Sequence, residues 1–272
     1  MISFPNCKIN LGLNILQKRD DGFHDLETFF VPVNWHDALE ILPSKVKTEL
    51  IVTGIETGPA DANLCLKSYN LLRKDYTQVP DLKIHLHKTI PIGAGLGGGS
   101  ADAAFMLQLL DKKFNLQMPV TKISEYAAQL GSDCPFFLLN KPALAKGRGE
   151  ILTRVNLSLS GFRIALVNPA IHISTAQAFA NIVPTIPNKR IEDIILQPIE
   201  TWKEELHNDF EKYVFEKFPE VRKIKEDLYN SGALYAAMSG SGSTVFGIFE
   251  KSATINYSPA TSYVYKVTTM IE

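Results

Sequence analysis

The stretch PIGAGLGGGSADAA, Pro91 to Ala104, holds five glycines: Gly93, Gly95, Gly97, Gly98 and Gly99. Glycine is entropically costly to order, so such a cluster implies that something approaches the backbone where no side chain can stand. Ser100 and an alanine-rich run follow, and their spacing predicts a helix from about Ala101 to Phe114. Two familiar phosphate loops fail here. A Walker loop places a lysine just before Ser or Thr, and this chain has Gly99 before Ser100. A dinucleotide fingerprint fits the bare pattern Gly93-x-Gly95-x-x-Gly98, but not its context. The preceding strand alternates with polar residues, and the helix after the loop leads into a second helix, about Val120 to Leu130, instead of a strand. What remains is a run of bare amides feeding a helix start, a cradle for anions reinforced by the helix dipole. A triphosphate is its natural guest. The plainer alternative, a tight turn for close helix packing, suits one glycine better than three in a row.

Working outward, LKIHLHKTIP alternates. Leu82, Ile84 and Leu86 share one face and Lys83, His85 and His87 the other; a solvated face is the reading that spacing favours over His85 and His87 as a metal pair. CKINLGLNIL alternates too, so Lys8 and Asn10 point the same way. Spacing alone leaves open whether that face meets water or a ligand. Further strands are expected at Ala38–Leu42, Glu49–Thr53 and in GFRIALVNP, with a helix in NLCLKSYNLLRKDY. Asp21-Gly22 is a turn signal, and SDCPFFLL turns into an apolar segment. After about residue 155 the pattern changes. Helices dominate Ser174 to Tyr229, with capping boxes at Ser174-x-x-Gln177 and Asn208-x-x-Glu211 and Pro219 in a first helical turn. ALYAAMSGSGSTVFGIF reads as two strands around a small-residue turn, and SYVYKVTTM as a last strand. KSATINYSPATS, with Pro259, is too poor in helix formers for a long helix.

Bulk properties narrow the function. The 272 residues are 45% hydrophobic and 21% charged, ordinary for a globular protein with a real core. A formal net charge of −1 speaks against a dedicated nucleic-acid binder and against a polybasic membrane anchor. Cys7, Cys65 and Cys134 form no CxxC pair, so neither a disulfide framework nor a zinc site is expected. The N-terminus lacks a signal-peptide pattern, and no apolar run is long enough to span a bilayer. These features predict a cytoplasmic protein.

Three motifs together carry a resemblance. PIGAGLGGGSADAA resembles the P-x-x-x-G-L-G-x-x-S motif of the GHMP small-molecule kinases, AAMSGSGSTVFGIF their C-terminal glycine motif, and FPNCKINLGLNI their N-terminal one. The R-x-D-G-[YF]-H pattern in QKRDDGFHDL, with GSDCPFFL and HNDFE, is similar to members that act on a cytidine diphosphate alcohol. The resemblance implies an α+β, two-domain fold: a ribosomal-S5-like N-terminal domain, residues 1–155, that binds ATP, and a ferredoxin-like C-terminal domain, residues 156–272. ATP would lie at the glycine loop, in the cleft between them.

It also implies roles. Lys8 and Asp133 would be catalytic, the first neutralising charge on the transferred group, the second taking the hydroxyl proton. Pro91, Ile92, Gly93, Ala94, Gly95, Leu96, Gly97, Gly98, Gly99, Ser100 and Ala101 would hold ATP, with Asn63, Leu64 and Lys88 near its base; Lys88 reads equally as a surface lysine. Asn10, Phe23, His24, Thr175, Phe179, Gly240 and Gly242 would meet the substrate, with a cytosine between two aromatic rings and a histidine beside it. Mg2+ is implied by ATP chemistry; no aspartate pair suits an all-protein cage, and Ser100 is the candidate indirect partner. No nucleic-acid or membrane partner is implied, and the oligomeric state stays open. Ala101 departs from the family, which often has a second serine there. Two rivals remain: a GHMP kinase for mevalonate, homoserine or a sugar, against which DGFH and Phe179 speak, and a non-catalytic ligand sensor, against which Lys8 and Asp133 speak.

Overall fold

The computed structural model describes residues 1–271. In chain order its first half contains β1 (Ile2–Ser3), β2 (Asn6–Lys18), β3 (His24–His36), β4 (Ala38–Pro43), β5 (Glu49–Gly54), α1 (Leu64–Asp75), β6 (Leu82–Lys88), α2 (Gly98–Phe114), α3 (Val120–Leu130) and α4 (Cys134–Leu139). There follow β7 (Ala143–Gly147), β8 (Ile151–Arg154), β9 (Phe162–Asn168), α5 (Thr175–Ala180), α6 (Ile191–Ile194), α7 (Trp202–Glu205), α8 (Phe210–Lys217), α9 (Pro219–Asn230), β10 (Tyr235–Met238), β11 (Val245–Glu250) and β12 (Val264–Thr268). Two compact units draw on interleaved segments. The first comprises Met1–Cys7, Trp35–Ile92 and Gly97–Asn140; the second comprises Lys8–Asn34, Gly93–Leu96 and the chain from Lys141 onward.

In the first unit a sheet in the order β1-β4-β6-β5 packs against helices. β6 runs antiparallel to β4 and parallel to β5, and α1 makes the crossover that a parallel neighbour requires. The alternation in β6 is realised: Leu82, Ile84 and Leu86 are buried among Tyr69 and Leu72 of α1 and Met106, Leu107 and Leu110 of α2. Each such side chain stabilises the fold by about 1.5–3 kcal/mol. α1 begins where Asn63 accepts a hydrogen bond from the Cys65 amide at 2.9 Å. α3 runs as expected from Val120 to Leu130. α2 starts three residues earlier than the alanine run suggests, at Gly98, because left-handed Gly97 (φ 68°) is its N-cap. The segment after Asp133 is a short helix, α4, with Pro135 in its first turn.

The second unit holds two sheets, ordered β2-β3-β7-β8 and β10-β11-β9-β12. Its core joins Ala165, Val167, Ala236, Met238, Val245 and Phe249 of the latter sheet to Phe210, Val214, Val221, Ile224 and Leu228 of α8 and α9. Ser174 caps α5 through the Gln177 amide, and Pro219 opens α9. The second capping box does not form. Asn208 caps the Phe210 amide one residue early, and Glu211 instead accepts from the Met238 amide and from Lys225. Between Ser174 and Phe210 the helices are short, 4 to 6 residues each, with irregular chain between them. Residues 251–263 form no helix, as Pro259 and its neighbours predict. Cys7, Cys65 and Cys134 are fully buried, and no disulfide joins them.

Candidate active site

β2 sets the first group of residues. Asn6–Ile15 are buried without interruption, so the polar face of this strand does not meet water. Its polar side chains therefore need partners inside the protein. The Lys8 ammonium donates to Asn10 Oδ1 at 2.6 Å and to the Gly95 carbonyl at 3.2 Å, and stands 4.8 Å from the Phe30 ring centroid. The Lys8 amide donates to the Leu96 carbonyl at 3.0 Å. Asn10 Nδ2 donates to Thr28 Oγ1 at 2.9 Å, and Thr28 in turn donates to the Gly12 carbonyl. Lys8 and Asn10 thus share a face, as the alternation requires, and the first part of the glycine loop is tied to them.

The same stretch of loop meets the turn between β10 and β11. Ser239 Oγ donates to the Gly95 carbonyl at 2.8 Å, and the Thr244 amide to the Ala94 carbonyl at 3.2 Å. Gly95 has φ +78°, and a Cβ there would lie 1.9 Å from the Ser239 carbonyl oxygen. Gly240 has φ +55°, and its Cβ would lie 3.2 Å from Gly95 Cα. Main chain is packed on main chain at this point, which is the physical need these glycines meet. Asn208 holds the turn from below. Its Nδ2 donates to the Met238 carbonyl at 2.7 Å and the Gly240 carbonyl at 2.8 Å.

In the first unit, Gly98, Gly99 and Ser100 form the opening turn of the 17-residue helix α2. Amides in a first turn have no carbonyl one turn earlier to bond. Among the described residues, the amides of Gly97–Ser100 donate to no backbone carbonyl. The buried Ala101 and Ala103 keep the flank of this turn small. Leu64 lies beside it: a Cβ on Gly99 would be 3.7 Å from Leu64 Cδ1. Asn63 is occupied as the cap of α1 and by Thr57. Asp133 sits at the N-cap position of α4 without making a side-chain cap. Its turn abuts the start of α2, since a Cβ on Gly131 would be 3.8 Å from Ser100 Oγ and 3.4 Å from Cys134 Sγ. Burial pushes the Cys134 thiol up to about 12.

Lys88 is not a surface lysine. It is the last residue of β6, on the face of Leu82, Ile84 and Leu86, and its ammonium pairs with Asp37 and, at 2.7 Å, with Asp102. Sequence reasoning gave neither aspartate a role. The signal was parity: residues 82, 84, 86 and 88 share one face, and a buried lysine demands carboxylates.

The residues expected at the substrate end all lie in the second unit. The rings of His24 and Phe179 stack with centroids 5.0 Å apart and planes at 23°. They touch one another, leaving no room for a base between them. Phe179 also meets Phe210 edge to face at 4.9 Å. Phe23 is 54% exposed, and the Arg148 guanidinium stands 4.8 Å from its ring centroid. Arg148 was not anticipated from sequence. Burial, with a smaller effect from Lys18, holds the His24 imidazole below its usual value. Thr175 Oγ1 lies 3.1 Å from Ser241 Oγ, next to Gly240 and Gly242. No group of three or more His, Cys, Asp or Glu residues suited to a metal occurs among the described residues. No helix in the described chain is long and apolar enough to cross a membrane.

A bare-amide helix start in one unit, and in the other a glycine turn packed on Gly95 beside a buried lysine strand, define a class, and family models agree on which. The GHMP kinases N terminal domain matches residues 63–141 and the GHMP kinases C terminal matches 190–256; the chain belongs to the GHMP kinase family, with its two-domain α+β fold. Within that family its relatives are specific. The chain is 53% identical over 253 residues to 4-diphosphocytidyl-2-C-methyl-D-erythritol kinase of Bacteroides fragilis, covering 92% of each protein. It is 51% identical to the enzyme of the same name from Cytophaga hutchinsonii, again covering 92% of each. A crystal structure of 4-(cytidine 5'-diphospho)-2C-methyl-D-erythritol kinase superposes with a TM-score of 0.78 at 32% identity, over 91% of this chain and 89% of that one. A homoserine kinase from Cytophaga hutchinsonii shares the fold, with a TM-score of 0.68 at 15% identity, over 97% of this chain and 94% of that one.

Proposed function

We propose that this chain transfers the γ-phosphoryl group of ATP to the 2-hydroxyl of 4-diphosphocytidyl-2-C-methyl-D-erythritol, a step in non-mevalonate isoprenoid precursor synthesis. A bond forms between the hydroxyl oxygen and the γ-phosphorus. The bond from that phosphorus to the β,γ-bridging oxygen breaks, ADP leaves, and the hydroxyl proton passes to Asp133. Lys8 offsets charge developing on the transferred group. The amides of Gly97–Ser100, at the positive end of α2, hold the triphosphate. Pro91–Leu96 bring the loop to them, and Asn63, Leu64 and Ala101 flank the nucleotide. Asn10, Phe23, His24, Thr175, Phe179, Gly240 and Gly242 orient the alcohol and its cytosine. For the base to stack on Phe179 in place of His24, the imidazole moves off that ring. Residues 1–155 act as the nucleotide domain and 156–272 complete the kinase.

Magnesium enters with ATP as part of the substrate, held by its phosphates, and no protein ligand is assigned to it. The cytoplasm is the setting we assign, and the three buried thiols suit its reducing chemistry.

The observation that carries the reading is the juxtaposition in one unit of an open helix start and the Asp133 turn: a Cβ added at Gly131 would meet Ser100 Oγ at 3.8 Å. The test uses purified protein, ATP and the CDP-alcohol, with phosphorus NMR to identify the product. Asp133→Asn should keep affinity for an ATP analogue and lose most turnover. Wild-type kcat in that variant removes Asp133 from the mechanism. Faster turnover of mevalonate or homoserine would move the chain to another branch of the family.

A further inference from the structure

Asp37, Lys88 and Asp102 form a charged cluster almost sealed from water, with side-chain exposures of 0%, 2% and 4%. Asp37 is saturated. One oxygen accepts from Lys88, and the other from the amides of Thr89 at 2.6 Å and Ile90 at 2.9 Å. Asp102 is not. Its Oδ2 accepts from Lys88 at 2.7 Å, and its buried Oδ1 has no hydrogen-bond partner. Two carboxylates therefore share one ammonium. A packed apolar cluster of similar volume is often as stable as such an arrangement, and an orphaned buried oxygen is costly. Stability alone is a poor reason for this cluster.

Its position supplies a better one. Lys88 ends β6, Thr89 and Ile90 are the next two residues, and Asp102 lies one turn into α2. A Cβ on Gly98 would stand 3.0 Å from the Lys88 ammonium and 2.9 Å from Ile90 Cγ2. The cluster therefore lies directly beneath the first turn of α2. We propose that Asp37, Lys88 and Asp102 are positioning residues for the phosphoryl donor, a clamp that fixes the start of α2 to the end of β6 and so aims the amides of Gly97–Ser100. The proposal rests on the nucleotide reading above and deepens it.

A proton completes the clamp. With both carboxylates ionised, the cluster would carry a net negative charge beneath an anion site. A protonated Asp102 makes it neutral and can hydrogen-bond to Asp37. Burial, opposed by Lys88 and assisted by the Asp37 charge, pushes the Asp102 carboxyl up to about 7. The titratable groups facing Asp102 are Lys88 from β6, Asp37 from the β3–β4 junction and Cys65 from α1, whose own thiol burial drives upward. A bound polyanion favours the protonated form, so asparagine at this position mimics the working state.

The test compares wild type with Asp102→Ala, Asp102→Asn and Lys88→Met. It measures the Kd of a non-hydrolysable ATP analogue, KM for ATP and for the CDP-alcohol, and Tm. Asp102→Ala and Lys88→Met should weaken analogue binding about tenfold to a hundredfold, as misplaced binding groups do, with KM for the alcohol unmoved. Asp102→Asn should restore binding to near wild type at neutral pH. As pH rises through 7, wild-type affinity should fall more steeply than that of Asp102→Asn, the nucleotide's own titration being common to both. Two results overturn the clamp: alanine and methionine variants that lose Tm with analogue Kd unchanged, or Asp102→Asn as impaired as Asp102→Ala. If those two variants do not fold, parallel pH profiles for wild type and Asp102→Asn overturn it. Wild-type protein that binds no analogue sinks the nucleotide reading, whereas normal wild-type binding with unmoved variants sinks the clamp alone.

Discussion

Gly95→Ala would act through two separate costs. Gly95 has φ +78°, where an L side chain strains the backbone by about 1–2 kcal/mol. The new Cβ would also stand 1.9 Å from the Ser239 carbonyl oxygen, when ordinary contact begins near 3.4 Å. Neither partner is a flexible side chain, so the two backbones must part by about 1.5 Å. Such a shift breaks the hydrogen bonds to the Gly95 carbonyl from Ser239, at 2.8 Å, and from the Lys8 ammonium, at 3.2 Å. Losing the charged one costs about 1.5–3 kcal/mol, which with the backbone strain gives a loss of about 2.5–5 kcal/mol. Displacing the loop by more than 1 Å should also lower kcat/KM by about a hundredfold or more. Gly232→Ala is the control. Gly232 has φ +93° with nothing within 4 Å of its Cβ, so it carries the strain alone. Urea denaturation of both variants, beside a coupled ADP-release assay, separates the costs. Equal stability losses in the two variants, with Gly95→Ala retaining wild-type kcat/KM, would refute the reasoning.

Two further outcomes are expected. Asn208→Ala leaves the carbonyls of Met238 and Gly240 without their buried donor and should destabilise the protein by about 2–4 kcal/mol. Denaturation within about 0.5 kcal/mol of wild type would contradict that role, since surface changes fall in that range. His24 should titrate below its ordinary 6.5, because burial disfavours its charged form. The unfolded chain then binds the proton more readily than the folded one, so stability present above 6.5 is lost as pH falls through that value toward the folded pKa. An NMR midpoint at or above 6.5 would remove the effect.

Most of the scaffold was legible because its signals are local. Alternation placed β2 and β6, glycine closed α3, Ser174 capped α5 and Pro219 opened α9. What escaped depends on contacts between distant segments. Asn208 and Glu211 have the spacing of a capping box, but their side chains are drawn away by the β10 strand end. Spacing leaves the polar face of β2 undecided until Gly95 and Thr28 are seen to bond its Lys8 and Asn10 side chains. Lys88 was half legible: its parity gives burial, yet nothing local reveals that Asp37 and Asp102 await it. The ring pairing of His24 with Phe179, and of Phe23 with Arg148, joins segments far apart in the chain and left no trace in sequence spacing.

The three sealed sulfurs have a practical consequence. A maleimide or haloacetamide meets no accessible thiol on the native molecule, and burial keeps Cys65 and Cys134 protonated besides. One cysteine installed at Val183, 84% exposed, would therefore accept a dye or spin probe alone, without first stripping the wild-type cysteines. Denaturation would then uncover the remaining three, so the stoichiometry of labelling, rising from one to four, counts unfolded molecules directly.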